Sequence, residues 1–476
     1  MNDIGLIGLA VMGENLVLNI ESRGYRVSVF NRTVSKVDDF LEGRAKGRSI
    51  SGFHTIEEFV GSLSVPRKII LMVKAGSAVD DMIESLKPHL QKGDIIIDGG
   101  NSNYKDTNRR TKSLEDDGFL FIGTGVSGGE LGALRGPSIM PGGSREAWPE
   151  VKKIFEDISA KYDGFPCTSW IGNAGAGHFV KMVHNGIEYS DMQIIAESYD
   201  ILKKKRYDNS QISKIFRDWN RGKLQSYLIE ITADIFEKKE DGRYVIDMIV
   251  DSAGQKGTGK WTAIESLDQG VPLNSITESV FARIFSSLAE QRENINKTYG
   301  SKTENPLSDF DIDIKDLESA VYVSKIISYA QGFELIRNAS KENGWNINYS
   351  DVAAIWRSGC IIRSKFLDDI MKAFSKKDQN LLCDDFFSGE IRKYSGSLRR
   401  TVIFGLGNGI PMPVMSSALS YLDSMRSENL PANLIQAQRD YFGAHTYERK
   451  DRKRGEFFHT DWTGEGGNTS STNYNV

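Results

Sequence analysis

Cysteine, proline and long apolar runs are all scarce in this chain of 476 residues, and each scarcity excludes something. Cys167, Cys360 and Cys383 are an odd number at no metal-like spacing. That excludes a disulfide scaffold, gives no reason to expect a metal, and suits a reducing, cytoplasmic compartment. Eleven prolines, against 7 Trp, 17 Tyr and 23 Phe, describe a packed chain rather than a low-complexity one. No apolar stretch approaches the roughly 20 residues that span a bilayer. Met1-Asn2-Asp3-Ile4 lacks the basic start and apolar core of a signal peptide, so no membrane partner is expected. Lys and Arg number 60 and Asp and Glu 64, a net charge of −4, which gives no support for a nucleic-acid surface.

What the chain does have is glycine, 46 residues of it, and eleven fall between 99 and 143. Glycine gathered in one stretch suggests backbone brought close to a ligand, although tight turns account for part of it. The length predicts two or three domains, each with its own core.

Residues 3–8 read as a buried strand, Glu14 to Ser22 as a helix and Arg26 to Phe30 as a second strand. Between the first strand and the helix lies Gly8-Leu9-Ala10-Val11-Met12-Gly13. A glycine turn in a strand–helix–strand unit lets the backbone approach a pyrophosphate and aims free helix N–H groups at it. The alanine at 10 departs from the strict GxGxxG pattern, so placement carries more weight than spacing. The second strand ends in Asn31-Arg32-Thr33, with no carboxylate to accept from a ribose 2′-hydroxyl. An arginine there suits a 2′-phosphate, so NADP is the expected cofactor. Further strands are expected at Lys68–Val73, Asp94–Asp98 and Phe119–Ile122. Each runs into a loop at one edge of a parallel sheet: Lys74-Ala75-Gly76, Gly99-Gly100-Asn101 and Thr124 to Gly129. Ser127-Gly128-Gly129 reads equally well as a carboxylate site or a tight turn.

After Gly177 the pattern turns helical and stays so to about residue 430. Residues 178–205 read as one long helix. On it His184, Asn185, Glu188 and Tyr189 fall within about 80° of Lys181. A solvated stripe is the ordinary meaning of such a face. Its content suggests chemistry: Lys181 and Glu188, two turns apart, could flank one small substrate as base and acid once burial moves their pKa values. The segment Ile249–Trp261 superficially resembles a P-loop, but the glycine spacing is wrong and Trp261 replaces the magnesium-holding Ser/Thr, so an NTPase is rejected. Lys256, Thr258 and the backbone around them, with Arg283 on a following helix, still suit a monophosphate. Beyond Pro431 the pattern weakens into a polar tail of the kind that is either disordered or ordered against something else, such as a second subunit.

Taken together and in this order, these motifs resemble the decarboxylating 6-phosphogluconate dehydrogenases. The resemblance runs from residue 3 to about 447 and to Trp462-Thr463-Gly464. It implies an α/β Rossmann-like NADP-binding domain (1–176), a large all-α substrate and dimerisation domain (177–432), and an extended C-terminal tail (433–476) reaching the partner subunit of a homodimer. It implies oxidation of 6-phosphogluconate at C3 by NADP, loss of CO2 and formation of ribulose 5-phosphate, in the pentose phosphate pathway. By resemblance Lys181 is the base and Glu188 the acid. Asn101, Ser127, Gly128, Gly129, His184 and Asn185 match positions around the substrate carboxylate and hydroxyls. Tyr189, Lys256, Thr258 and Arg283 match the phosphate pocket, joined by Arg439 and His445 from the partner subunit. Gly8, Leu9, Ala10, Val11, Met12, Gly13, Asn31, Arg32, Thr33, Val73, Lys74, Ala75 and Asn101 match the cofactor site. Two other readings compete: a β-hydroxyacid dehydrogenase for a small unphosphorylated acid, and a non-catalytic NADP(H)-binding regulator.

Overall fold

The computed structural model describes residues 1–300, 303, 306, 307, 309–466 and 471. The chain falls into two compact units, Met1–Ala418 and Leu419–Val476.

The first unit opens with an eight-stranded sheet. Its strands are β1 (Ile4–Ile7), β2 (Val27–Phe30), β3 (Ile50–Phe53), β4 (Lys68–Leu71), β5 (Ile95–Asp98), β6 (Leu120–Ser127), β7 (Ser138–Gly143) and β8 (Gly172–Asn173). They lie in the order β8-β7-β6-β5-β4-β1-β2-β3. β1 to β5 are short and mostly apolar because helices cover both faces of a parallel sheet. One face packs on Leu16, Val17, Val151 and Phe155, and the other on Phe59, Val79, Ile83 and Leu114. Register places Phe30, Ile7, Leu71, Asp98 and Gly123 in one row across the sheet. The loops after β1, β2, β4 and β5 therefore leave from one edge, the position at which open α/β sheets bind ligands.

Two expectations need correction. The loop expected at Thr124–Gly129 is strand as far as Ser127, because β6 pairs antiparallel with β7 and Ser127 stands opposite Ser138. Gly142 and Gly143, among the glycines of the 99–143 stretch that tight turns were expected to account for in part, lie in β7, where Gly142 lets the backbone of Gly177 approach closely. Pro141 and the two glycines beside it mask that strand in the sequence.

The helical part is built on two long helices, Ala176–Lys204 and Ile314–Asn343. Ser190 bonds Ser328, Asp191 pairs with Lys325, and Ile187 packs into the gap at Gly332, so the two run antiparallel. Among residues 176–190 only Asn185 and Glu188 are less than buried. The solvated-stripe reading is thus overturned for residues 176–190, which are covered on every side, whereas Met192, Ala196 and Asp200 farther along the helix are exposed. Among the described residues no helix is long and apolar enough to cross a membrane.

The second unit contains the end of the helix Pro413–Arg426, the helix Ala432–Gly443 and a hairpin of Tyr447–Glu448 with Phe457–Phe458. Buried Asp440 organises it, accepting from His459 Nδ1 (2.9 Å), Thr460 N (3.0 Å) and Trp462 Nε1 (2.9 Å).

Candidate active site

A cavity of about 540 Å³ opens between the end of β6, the long helix Ala176–Lys204 and the start of the helix Thr258–Asp268. Lys181 enters it from the long helix with 6% of its surface exposed. Its stem lies across Gly125 of β6, where a Cβ would overlap Lys181 Cβ and come within 2.7 Å of its Cγ. Lys181 Nζ donates to Asn185 Oδ1 at 2.8 Å, one turn along. Asn185 Nδ2 in turn donates to Thr258 Oγ1 at 3.1 Å. Burial lowers the Lys181 pKa from its ordinary value, and Glu188 partly restores it. Glu188, two turns from Lys181, has its carboxyl pKa raised by burial, with Lys181 and Arg283 pulling the other way. Both shifts favour neutral forms, an amine able to take a proton and a carboxyl able to give one.

His184 does not line the cavity. It is fully buried behind the wall, with Nε2 3.4 Å from Ser127 Oγ and Nδ1 3.1 Å from Asn185 Oδ1. An amide oxygen can only accept, so Nδ1 carries the proton and Nε2 is left to accept from Ser127. Burial, and then Lys181, holds this imidazole well below its ordinary pKa. His184 is therefore a neutral brace between Ser127 and Asn185, one step removed from direct contact with a ligand in this cavity.

The opposite wall is cationic. Arg283 stacks over the Tyr189 ring at 3.4 Å and donates to the Gly254 carbonyl at 3.1 Å. Exposed Lys256 stands beside it. Gly257, in a left-handed conformation, starts the helix Thr258–Asp268 with no side-chain cap, leaving its first N–H groups for an anion. On the sheet side Ser127, Gly128 and Gly129 line the cavity where β6 gives way to the helix Gly129–Arg135. Asn101 reaches the same cavity from the loop after β5. That loop is held by buried Asp98, which accepts from Gly100 N (3.0 Å) and Ser102 Oγ (2.6 Å).

Met12 joins the cavity to the first βα turn. There Gly8 has φ +108°, and a Cβ on it would stand 2.9 Å from the Met72 carbonyl carbon; one on Gly13 would overlap the Gly8 carbonyl oxygen. The helix Val11–Ser22 begins at Ala10 with no side-chain cap. Asn31 Oδ1 accepts from Leu9 N at 2.9 Å and so ties the end of β2 to the turn. Arg32 is exposed and forms no hydrogen bond or ion pair with any described residue. A tight glycine turn, an uncapped helix start and a free guanidinium at the strand end fit a dinucleotide with a 2′-phosphate. Val73, Lys74 and Ala75 follow β4 along the same sheet edge, and exposed Thr33 follows Arg32.

Comparison with known proteins bears on this geometry. Residues 3–172 match the NAD binding domain of 6-phosphogluconate dehydrogenase, and residues 177–462 match the 6-phosphogluconate dehydrogenase C-terminal domain. The chain belongs to the 6-phosphogluconate dehydrogenase family. A decarboxylating 6-phosphogluconate dehydrogenase of Haemophilus influenzae is 56% identical over 481 residues, covering 100% of this chain and 99% of that protein. The one from Homo sapiens is 55% identical over 484 residues, at 100% and 99% coverage. A solved Plasmodium falciparum 6-phosphogluconate dehydrogenase superposes with a TM-score of 0.93 at 46% identity, covering 97% of this chain and 100% of that one. That protein was solved in its apo form, with its cofactor NADP+ and with its substrate 6-phosphogluconate.

Within this family frame, the cavity gathers all but one of the substrate-site residues expected in the first unit, His184 being the exception. Arg439 and His445 belong to the second unit, where Arg439 donates to Gln436 Oε1 (3.0 Å) and His445 Nδ1 meets Ser471 Oγ (2.7 Å). Four lining residues were not expected: Val126, Gly254, Gln255 and Ile361. Val126 and Gln255 adjoin expected positions, and Gly254 is two residues from Lys256. Ile361 sits in a loop 180 residues beyond Lys181, where no local pattern marks it.

Proposed function

We propose that the chain oxidises 6-phosphogluconate with NADP and releases CO2 and ribulose 5-phosphate. One observation carries the reading: a buried lysine and a half-buried carboxyl, two turns apart and both shifted toward neutrality, face one cavity whose far wall is cationic. The full-length family match supports it.

Gly8 to Gly13 would hold the cofactor pyrophosphate, with Arg32 on the 2′-phosphate and Asn31, Thr33, Val73, Lys74, Ala75 and Asn101 alongside. NADP supplies the acceptor for the hydride that C3 gives up. Neutral Lys181 takes the 3-hydroxyl proton as C3 becomes a ketone. As an ammonium it then polarises that ketone, so the bond from C2 to the carboxylate breaks, CO2 leaves and the electron pair forms an enediol. Glu188 delivers its proton to the carbon that lost CO2, while Lys181 recovers the proton that regenerates the ketone. Ser127, Gly128, Gly129 and Asn185 orient the carboxylate and hydroxyls, and His184 steadies Ser127 and Asn185 from behind. Tyr189, Lys256, Thr258 and Arg283 take the phosphate.

Arg439 and His445 would complete that phosphate pocket from a second copy of the chain. The apolar surface each unit exposes supports a homodimer, with Phe285, Leu267 and Val250 in the first and Leu434, Ile435 and Phe442 in the second. Three unpaired cysteines support a reducing, cytoplasmic compartment. In this reading residues 1–176 carry the cofactor, 177–432 the substrate and 433–476 the partner contact.

The test is to incubate the purified chain with NADP and 6-phosphogluconate and follow reduced cofactor and CO2 together. Equal yields are expected. Reduced cofactor without CO2, or turnover of an unphosphorylated β-hydroxy acid in preference, would overturn the reading.

A further inference from the structure

A second cleft, of about 320 Å³, lies between the segment 220–230 and the segment 357–368 and shares no lining residue with the catalytic cavity. The two segments are zipped together by their backbones: Tyr227 N donates to Arg363 O (3.1 Å), Lys365 N to Gln225 O (2.9 Å), and Ser226 bridges Ser364 antiparallel. One end is closed by a satisfied cluster, in which Arg357 pairs with Asp368 at 3.1 Å and stacks over Tyr162, whose hydroxyl also donates to Asp368. The other end is different. The Arg363 guanidinium lies over the Tyr227 ring at 3.7 Å, and among the described residues its only hydrogen bond is to the Cys360 carbonyl. Lys365, Gln225 and Glu230 form no side-chain bond with any described residue.

We propose that this cleft binds a small phosphorylated polyol. Arg363 and Lys365 are two cations on one wall, and among the described residues no carboxylate pairs with either, the arrangement that a phosphate dianion satisfies. Glu230 and Gln225 offer acceptors and donors across the cleft, matching hydroxyls better than an apolar group. Glu230 also sets a limit, since its charge disfavours a ligand carrying a second anionic group at that end. The cleft adjoins the active site through the 357–363 loop. Gly359 O accepts from Ser138 N at 2.8 Å, Ser138 stands opposite Ser127, and Ile361 lines the catalytic cavity. A ligand gripping Arg363 therefore bears on the substrate pocket through two residues.

The test is calorimetric titration of the full chain with glucose 6-phosphate, and separately with inorganic phosphate. Two sites per chain are expected for glucose 6-phosphate. Arg363→Met and Lys365→Glu should each weaken one of them at least tenfold while leaving KM for 6-phosphogluconate, measured without the probe, within about twofold. Arg283→Met should weaken only the other. Lys365 is exposed, so its replacement guards against a folding defect in the Arg363 variant, and a thermal melt checks both. A single site, lost with Arg283→Met and unaffected at Arg363 and Lys365, would overturn the proposal. Equal affinity for inorganic phosphate at the second site would overturn its polyol part.

Discussion

Gly125 and Lys181 are in contact along the length of the lysine stem: a Cβ at 125 would overlap Lys181 Cβ, stand 2.7 Å from Cγ and 3.2 Å from Cδ. The absence of a side chain on β6 is what lets a long-helix lysine lie flat on the sheet and aim its amine into the cavity. Sheet, helix and catalytic group are thus fixed by one missing methyl.

Gly125→Ala should therefore cost turnover out of proportion to stability. Forcing one methyl into a packed site destabilises by about 1–3 kcal/mol. Displacing a catalytic group by about 1 Å can cost on the order of 100-fold in rate. Steady-state kcat alongside a thermal melt separates the two, and a variant with full kcat would show that Lys181 can relocate.

The pH profile follows from the two shifts. Lys181 acts as a base only when neutral, so activity falls in acid as it gains a proton. Glu188 acts as an acid only when protonated, so activity falls in alkali as it ionises. Glu188→Gln should remove the alkaline limb from the residual activity. The acid limb should stay where it is, because Glu188 is already protonated where Lys181 titrates. An alkaline limb that persists would assign it to another group.

Glu197 makes a separate pH prediction, for stability. It is buried on the long helix, accepts from Val414 N (2.8 Å) and Met415 N (2.9 Å), and has its pKa raised by burial from 4.5 to about 7. A carboxyl that holds its proton more tightly folded than unfolded contributes stability that is complete below about pH 4.5 and lost as pH rises through about 7. The shift corresponds to about 3 kcal/mol. The melting temperature of the parent chain should thus fall more between pH 5 and pH 8 than that of Glu197→Gln. Parallel slopes would contradict the assignment.

Arg32→Asp should shift cofactor preference toward NAD, since a carboxylate accepts from a ribose 2′-hydroxyl and repels a 2′-phosphate. A change on the order of 100-fold or more in the ratio of kcat/KM for the two cofactors is expected, at about 1.4 kcal/mol per tenfold. An unchanged ratio would place 2′-phosphate recognition elsewhere.

The parts of this molecule legible in its sequence were those set by short-range pattern. The βα turn at Gly8–Gly13, the strand end at Asn31-Arg32-Thr33 and the face shared by Lys181 and Glu188 follow from local periodicity and spacing. What depends on tertiary contact was not legible. Burial of residues 176–190 on every side could not be read, because a core helix and an amphipathic one share its polar face until neighbours are known. β7 was hidden by Pro141, Gly142 and Gly143, which look like a turn although Gly142 is what lets the helix approach. His184 stood in the right row of the helix yet proved to lie behind the wall, a distinction of a few ångströms that angular position cannot make. Ile361 was out of reach, being brought to the cavity only by the packing of a distant loop.

The most direct measurement of the central claim is turnover of Lys181→Met, a side chain that keeps the bulk and loses the proton acceptor. If Lys181 is the base, reduction of NADP by 6-phosphogluconate should fall to background while NADP binds within a few-fold of the parent chain. Retained turnover in a correctly folded Lys181→Met protein would contradict the account.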